Sequence, residues 1–514
     1  MTRLNAALAL TLAATAIPAS IAQPSEGSAE AKWRDQTGYE GAYVVIQEDD
    51  APRPPFDFDA DDNAFLDEVE RATFNWIWNS PDVSPHGLIK DRSSGPLVSI
   101  AGVGYQLASI VIGVERGYVS RDEGAERAEQ ILQALTDNPK NRKAGLFYHF
   151  LDENTNGPRA RGDGVSTIDS SILFAGILTA SSYFGGDVAH LGDALFAAAD
   201  WSFFVQPDSR PEQYRGMISL LWRPNDRAND PTGDGGLIDA TWIDAMGEQR
   251  LVYFLANAAP AAEHRVDPEL YYRMRRTPAQ WRDVGPMIRL PGAGSTFLAF
   301  FDQLWIDDAS IGAAQGPDRP DLRGFEHRTP TDWWENSRRH AKLHRGKAIH
   351  EAPEGFTTLG ENAWGLSASD APGGYRVPGL YGDPLPLKGA RRDVDTPPDF
   401  RTDDWLDGTV AIYGAGSMIM FEPDLALAAL RHYRSLENAD GKPLLWDDQY
   451  GFEDAYNLHI NKEPWVAHDR LSIDQGPLLV AIENARSGLI WNTFHAHPYI
   501  QSAMERLGLS RGED

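Results

Sequence analysis

Two short stretches set a carboxyl group where a helix is due to begin. Ser166-Thr167-Ile168-Asp169 opens a nearly apolar run, and Trp242-Ile243-Asp244-Ala245-Met246-Gly247-Glu248 precedes Leu251-Val252-Tyr253-Phe254-Leu255. An acid there has two readings. It can cap free backbone N–H groups and answer the helix dipole. It can instead face a cavity, where loss of water raises its proton affinity and suits it to general-acid work near neutral pH. These residues alone leave both open. Other stretches mix acids, amides and aromatic rings beyond the needs of packing. They are Gly360-Glu361-Asn362-Ala363-Trp364-Gly365-Leu366 with Ser369-Asp370, Tyr450-Gly451-Phe452-Glu453-Asp454, and Ile473-Asp474-Gln475-Gly476-Pro477. Acids and amides bond to hydroxyl groups, and aromatic rings cover the apolar faces of sugar rings.

Other chemistries find little support. The chain has no cysteine and no Gly-x-Ser-x-Gly elbow, so no nucleophilic site is indicated. His149, His327, His340, His344, His432 and His468 form no convincing ligand spacing, and neither a metal nor a cofactor is expected. His340 and His344 lie four apart on a segment rich in Lys and Arg, which reads as a solvated face.

The elements that must position these groups are helical. Apolar periodicity predicts helices over 61–78, 100–117, 120–135, 167–183, 187–204, 242–258, 295–305, 331–350, 408–420, 423–436 and 473–490, with a last one after Pro498. Ser120-Arg121-Asp122-Glu123 is a capping box. Strand-like runs are few and short, such as 217–222, and long loops cover 206–240, 306–330 and 351–407. About a dozen paired helices without a sheet signal predict an all-α fold, a closed ring of helical hairpins. The runs 167–183 and 473–490 read as inner helices, and 120–135 and 423–436, with charged faces, as outer ones. No fixed-period repeat supports a solenoid.

Composition narrows the partners. A formal net charge of −28 disfavours nucleic acid, anionic membrane and acidic polymers, and is compatible with a neutral substrate. The N-terminus carries Arg3, an apolar run from Ala6 to Ile17, and Ala19-Ser20-Ile21-Ala22. That order predicts a signal peptide over 1–22 and a periplasmic protein, with secretion as the alternative. Without cysteine a lipid anchor is excluded, and no run is long enough for a membrane anchor. Residues 23–60 read as a polar lead or surface arm, and 61–512 as one domain, a monomer or a simple homo-oligomer.

The order of motifs resembles the glycoamylase-like domain family, which includes bacterial β-1,2-glucanases. The resemblance rests on Phe147-Tyr148-His149-Phe150-Leu151-Asp152, Ser166-Thr167-Ile168-Asp169, Trp305-Ile306-Asp307, Trp334-Glu335-Asn336-Ser337-Arg338 and the three stretches quoted above from 360 onwards. Gly87-Leu88-Ile89-Lys90-Asp91-Arg92 and Gly113-Val114-Glu115-Arg116-Gly117 add to it. It spans about 62–510. It implies an (α/α)6 barrel and an inverting hydrolysis of a glucan, most plausibly β-1,2-linked. It also implies Glu248 as general acid and Asp169 as general base, with Asp454 in reserve. Arg92, Tyr148, His149, Trp305, Asp307, Glu361, Asn362, Trp364 and Asp474 would bind the substrate. Around Glu248 this chain reads Met246-Gly247-Glu248-Gln249, where the family pattern has Asn-Glu-Ala. A transglycosylase and a non-catalytic glycan-binding protein are the rival readings.

Overall fold

Ser120 begins its helix as its sequence predicts. Its hydroxyl accepts from the Glu123 amide at 3.3 Å, and Glu123 accepts in return from the Ser120 amide at 2.9 Å. The same logic recurs along the chain. A computed structural model describes residues 45–47, 49–79, 83–159, 163–211, 214–225, 232–314, 331–385 and 401–512. The proposed signal peptide, the lead up to residue 44 and His327 lie outside the described residues. The described residues belong to one compact unit.

They form fourteen α-helices: α1 (Ala60–Asn79), α2 (Ile100–Glu115), α3 (Arg121–Asp137), α4 (Thr167–Phe184), α5 (Gly186–Ala197), α6 (Gln249–Ala256) and α7 (Glu269–Arg273). Then come α8 (Asp308–Ile311), α9 (Trp333–His350), α10 (Ile412–Gly416), α11 (Pro423–Ser435), α12 (Ser472–Ser487), α13 (Leu489–His495) and α14 (Pro498–Leu507). Strands are two to four residues long and pair in small antiparallel sheets that tie loops together. One of them joins Val165–Ser166 to Leu221–Pro224 and Gly235–Leu237, so the strand signal at 217–222 falls a few residues early.

Burial follows the apolar pattern. Helices α2, α4 and α12 are buried on nearly every side, whereas α3 and α11 bury one face. The row α10–α12–α2–α4–α6 packs neighbour on neighbour, with α1, α3, α5 and α11 laid against it. The tightest joint is α2 on α4. A Cβ at Gly176 would fall 2.0 Å from the Gly104 carbonyl oxygen, and one at Gly104 would fall 2.3 Å from the Ile172 carbonyl. Only glycine allows two backbones to approach so closely.

Several expected helices are shorter than their periodicity suggests. The run 242–258 is helical only from Gln249, because Gly247 has φ +79° and the Leu298 carbonyl occupies the place a Cβ would take. The run 295–305 keeps a single 3-10 turn, Thr296–Ala299. Its first two amides bond outward, Thr296 to the Leu366 carbonyl and Phe297 to Ser367 Oγ, and the rest of the run closes irregular turns such as Phe301 to the Phe297 carbonyl and Trp305 to the Asp302 carbonyl. The run 187–204 breaks after Ala197, and Asp200 caps a separate turn at Trp201–Phe204.

Helix α9 corrects a reading of charge. His340 and His344 do not sit on a solvated face; both are buried. The cations around them are paired inside the protein. Arg339 meets Glu335 at 2.7 Å, Arg338 meets Glu335 at 3.0 Å and Glu422 at 2.9 Å, and Lys347 meets Asp403 at 2.5 Å. Burial pushes the His340 and His344 imidazoles down to about 4 and about 3, so both are neutral.

Gly176→Ala should therefore destabilise the protein by about 1–3 kcal/mol or more, as overpacking does. A urea melt reads this as a lower midpoint, and an unchanged midpoint would mean the crossing has slack.

Candidate active site

Three buried helices bring carboxyl groups to one hydroxyl. Asp169 stands in the first turn of α4, behind its N-cap Ser166, whose hydroxyl donates to Asp169 Oδ2. Glu248 stands at the N-cap position of α6 but caps nothing. Asp474 stands in the first turn of α12. All three act on Tyr105 of α2, a buried residue whose hydroxyl has no hydrogen-bond partner. Burial, with these negative charges, pushes that phenol well above its usual value.

Glu248 is the group the surroundings alter most usefully. Burial pushes its carboxyl up to about 8, and the charges of Asp169 and Asp302 add to the effect. It therefore holds its proton at neutral pH. Asp169 is the charge that acts on it most, and its Oδ2 accepts from the Ser166 hydroxyl, which in turn accepts from the Asp169 backbone amide at 3.3 Å. His149 Nε2 lies 3.6 Å from Asp169 Oδ1, and its ring stacks on Phe150 at 3.7 Å between centroids. One acid held neutral beside one supplied with donors is the pattern that divides acid from base.

A second group completes the hollow. Asp454 and Asp474 are both 1% exposed and face each other. Asp454 Oδ2 accepts from the Asp370 amide at 3.2 Å, and Asp454 Oδ1 and both Asp474 oxygens find no ordinary donor. A hydrogen bond between two carboxyls needs a proton on one of them. Burial supplies it: Asp454 is pushed up to about 7, and Asp474 well above the usual carboxylate range. Asp474 then donates to Asp454. Arg92 anchors this side, with Nη1 on both oxygens of Asp370 at 3.0 and 3.1 Å and Nε on Asp91 at 3.2 Å.

Asp370 opens a small hairpin in which Ser369 and Arg376 exchange backbone bonds. Gly374 turns it at φ +94° and presents Tyr375. Tyr375 is 43% exposed, yet Asp474, Asp454, Asp91 and Glu248 all act on its hydroxyl. A side chain open to water and ringed by protein carboxyls lies in a concave hollow.

The structure thus brings together Glu248, Asp169, Asp454, Asp474, Arg92 and His149. It does not bring in the others. The rings of Tyr148, Trp305 and Trp364 are buried in the core and offer no face to a sugar. Trp305 serves the site indirectly, stacked on Tyr105 at 5.7 Å. Asp307 caps α8 and pairs with Arg511 at 2.7 Å. Glu361 and Asn362 are exposed, and Glu361 pairs with Arg345 at 2.8 Å. Sequence reasoning missed Tyr105, Tyr375 and Asp302. Only Tyr105 left a signal, as the one phenol in the apolar run 100–115. Among the described residues, no group of three or more His, Cys, Asp or Glu is placed to hold a metal ion.

The glycoamylase family profile matches residues 241–498. An exo β-1,2-glucooligosaccharide sophorohydrolase (non-reducing end) of Parabacteroides distasonis is 27% identical over 488 residues, covering 87% of this chain and 58% of that protein. The chain thus spans rather over half the length of that relative. A β-1,2-glucanase structure from Parabacteroides distasonis superposes with a TM-score of 0.66 at 24% identity, over 87% of this chain and 60% of the other. An endo-β-1,2-glucanase of Chitinophaga pinensis, in complex with sophorotriose and glucose, gives a TM-score of 0.66 at 23% identity, over 87% and 98%.

The raised proton affinity of Glu248 has a cost in stability. Between its ordinary value of 4.5 and about 8, the unfolded chain has released this proton and the folded one has not. Stability is therefore lost as pH rises through that window, by a few kcal/mol at most. Glu248→Gln removes the loss. Its melting temperature should exceed that of the parent by a margin that grows from about pH 5 to about pH 8. A constant margin across that range would show that Glu248 ionises normally.

Proposed function

The chain belongs to the glycoamylase family, and we propose that it is a glycoside hydrolase that cleaves β-1,2-glucan or its oligosaccharides with inversion. The observation that carries this reading is a neutral Glu248 under the charge of Asp169, with the buried Tyr105 behind them and Tyr375 open to water. The relatives at about a quarter identity are named for β-1,2-glucans, which supports the choice of linkage.

Glu248 donates its proton to the departing glycosidic oxygen. Asp169 takes a proton from water, directly or through a sugar hydroxyl, on the far face of the ring. Inverting enzymes leave about 6.5–9.5 Å between the two carboxyls for that water. Asp454, paired with Asp474, is the alternative base. Arg92 and His149 would bond to sugar hydroxyls, and Tyr375 would cover a ring face. The buried row α10–α12–α2–α4–α6 would close into an (α/α)6 barrel through the segment 295–305, backed by α9. The N-terminal order of charge, apolar run and small residues supports export to the periplasm.

The purified protein should release short oligosaccharides from β-1,2-glucan, and proton NMR of the fresh product should show the α-anomer. Glu248→Gln should lose about 10²–10⁴-fold in kcat while the protein stays folded. Products longer than the substrate would indicate transglycosylation. Binding of β-1,2-glucan without turnover would mark a glycan-binding protein, and no turnover of any glucan would refute the assignment.

A further inference from the structure

The ground beneath Glu248 is highly charged for a protein interior. Arg250, two residues on, is buried together with Asp302 and Asp308. Its Nη1 donates to Asp302 Oδ2 and to Asp308 Oδ2, each at 2.7 Å. Its Nη2 donates to Asp308 Oδ1 and to the Tyr271 hydroxyl, each at 2.9 Å. The guanidinium also lies 4.4 Å over the Trp333 ring. Asp308 therefore engages Arg250 with both oxygens, and Asp302 with one.

The second Asp302 oxygen, Oδ1, is buried without a hydrogen-bond partner. Besides Arg250, only the backbone amides of Asp302 and Gln303 among the described residues serve this carboxyl, and a buried carboxylate so thinly supplied with donors is costly, so its retention calls for a reason. The surrounding chain supplies one. Phe301 and Trp305 pack against Tyr105 at 6.0 and 5.7 Å, and the Leu298 carbonyl lies where a Cβ of Gly247 would be. The segment that carries Asp302 is thus the floor on which the Gly247–Arg250 turn rests. The groups that face Glu248 are Asp169 from α4, Tyr105 from α2, Tyr375 from the hairpin and Asp302 from this floor. Arg250 stands on Glu248's own element, and its charge is taken up by two acids.

We propose that Asp302 is a positioning residue for Glu248: through Arg250 it ties the acid-bearing turn to the floor. This rests on Glu248 acting as the general acid. Asp308 shares the structural task. Burial pushes Asp302 itself up to about 7, so it carries its charge on the alkaline side of neutrality, where Glu248 loses its proton.

Two variants separate the roles. Asp302→Asn removes the charge beside Glu248 while Asp308 still holds Arg250. Asp308→Asn removes the larger share of the Arg250 bonds. The alkaline limb of kcat/KM against pH on a β-1,2-glucooligosaccharide should fall by about one pH unit in Asp302→Asn. In Asp308→Asn the melting temperature should fall further, with a smaller movement of the limb. An isotope-edited infrared titration of Glu248, taken as the difference from Glu248→Gln, should show the same shift in midpoint without any turnover. An unmoved midpoint in Asp302→Asn, or equal shifts in both variants, would overturn the proposal. Should Asp302→Asn fail to fold, the parent's infrared titration decides. The carboxylic acid band must persist at about pH 7, and its loss below about pH 6 would overturn the proposal. A parent without turnover but with the infrared shift intact would count against the glucan reading and not against Asp302.

Discussion

The site depends on how closely three buried helices approach one another. Gly104 and Gly176 let the backbones of α2 and α4 touch, and a Cβ at Gly476 of α12 would lie 2.3 Å from the Tyr105 Cβ. Tyr105 follows Gly104 and is pressed against α12 two residues beyond Asp474. One side chain is thereby fixed between the first turns of α4 and α12. Larger residues at these glycines would push the helices apart and separate the carboxyl groups whose charges now act on its hydroxyl.

Crowding carboxyls into a dry space forces protons onto some of them. Ionised neighbours in a low dielectric repel strongly, and desolvation penalises each charge further. Glu248 and the Asp454–Asp474 pair respond by holding protons near neutral pH. The same response occurs away from the site. Glu70 is buried beside Glu483 and is pushed up to about 8, although Arg116 and Arg486 both reach it. A raised proton affinity is therefore not peculiar to the hollow. What distinguishes Glu248 is that it caps no helix and, among the described residues, pairs with no cation, so its proton is available to something else.

Much of the fold was legible because local signals agreed with burial. The capping box at Ser120 and the nearly apolar run after Thr167 led directly to α3 and α4. The failures have physical causes that act over long range. Helix α6 starts late because a carbonyl from residue 298 fills the space beside Gly247. Helix α9 looked solvated because its Lys and Arg residues gave no hint of Glu422, more than 70 residues on, or of Asp403. At the site, Asp169 and Glu248 were legible as helix-start acids, and the resemblance chose between capping and chemistry. Trp364 and Tyr148 misled because an aromatic motif reads alike whether its ring faces a ligand or the core. Asp302 was invisible, since its relation to Glu248 exists only once the floor has folded beneath α6.

The acid excess of the hollow also limits what can enter it. Arg92, the cation on its Asp454 side, is already engaged by Asp91 and Asp370. A phosphate or a carboxylate would meet carboxyl groups with few free cations to offset the repulsion. A neutral polyol meets a different surface. Each of its hydroxyls can donate to an ionised carboxylate or accept from a protonated one, so a mixture of the two states suits it better than either alone. The mixture persists near neutral pH because groups such as Asp454 and Glu248 are poised around 7 to 8. Desolvation thus does two things with one arrangement. It keeps an acid protonated, and it leaves an array of donors and acceptors that would suit an uncharged polyol.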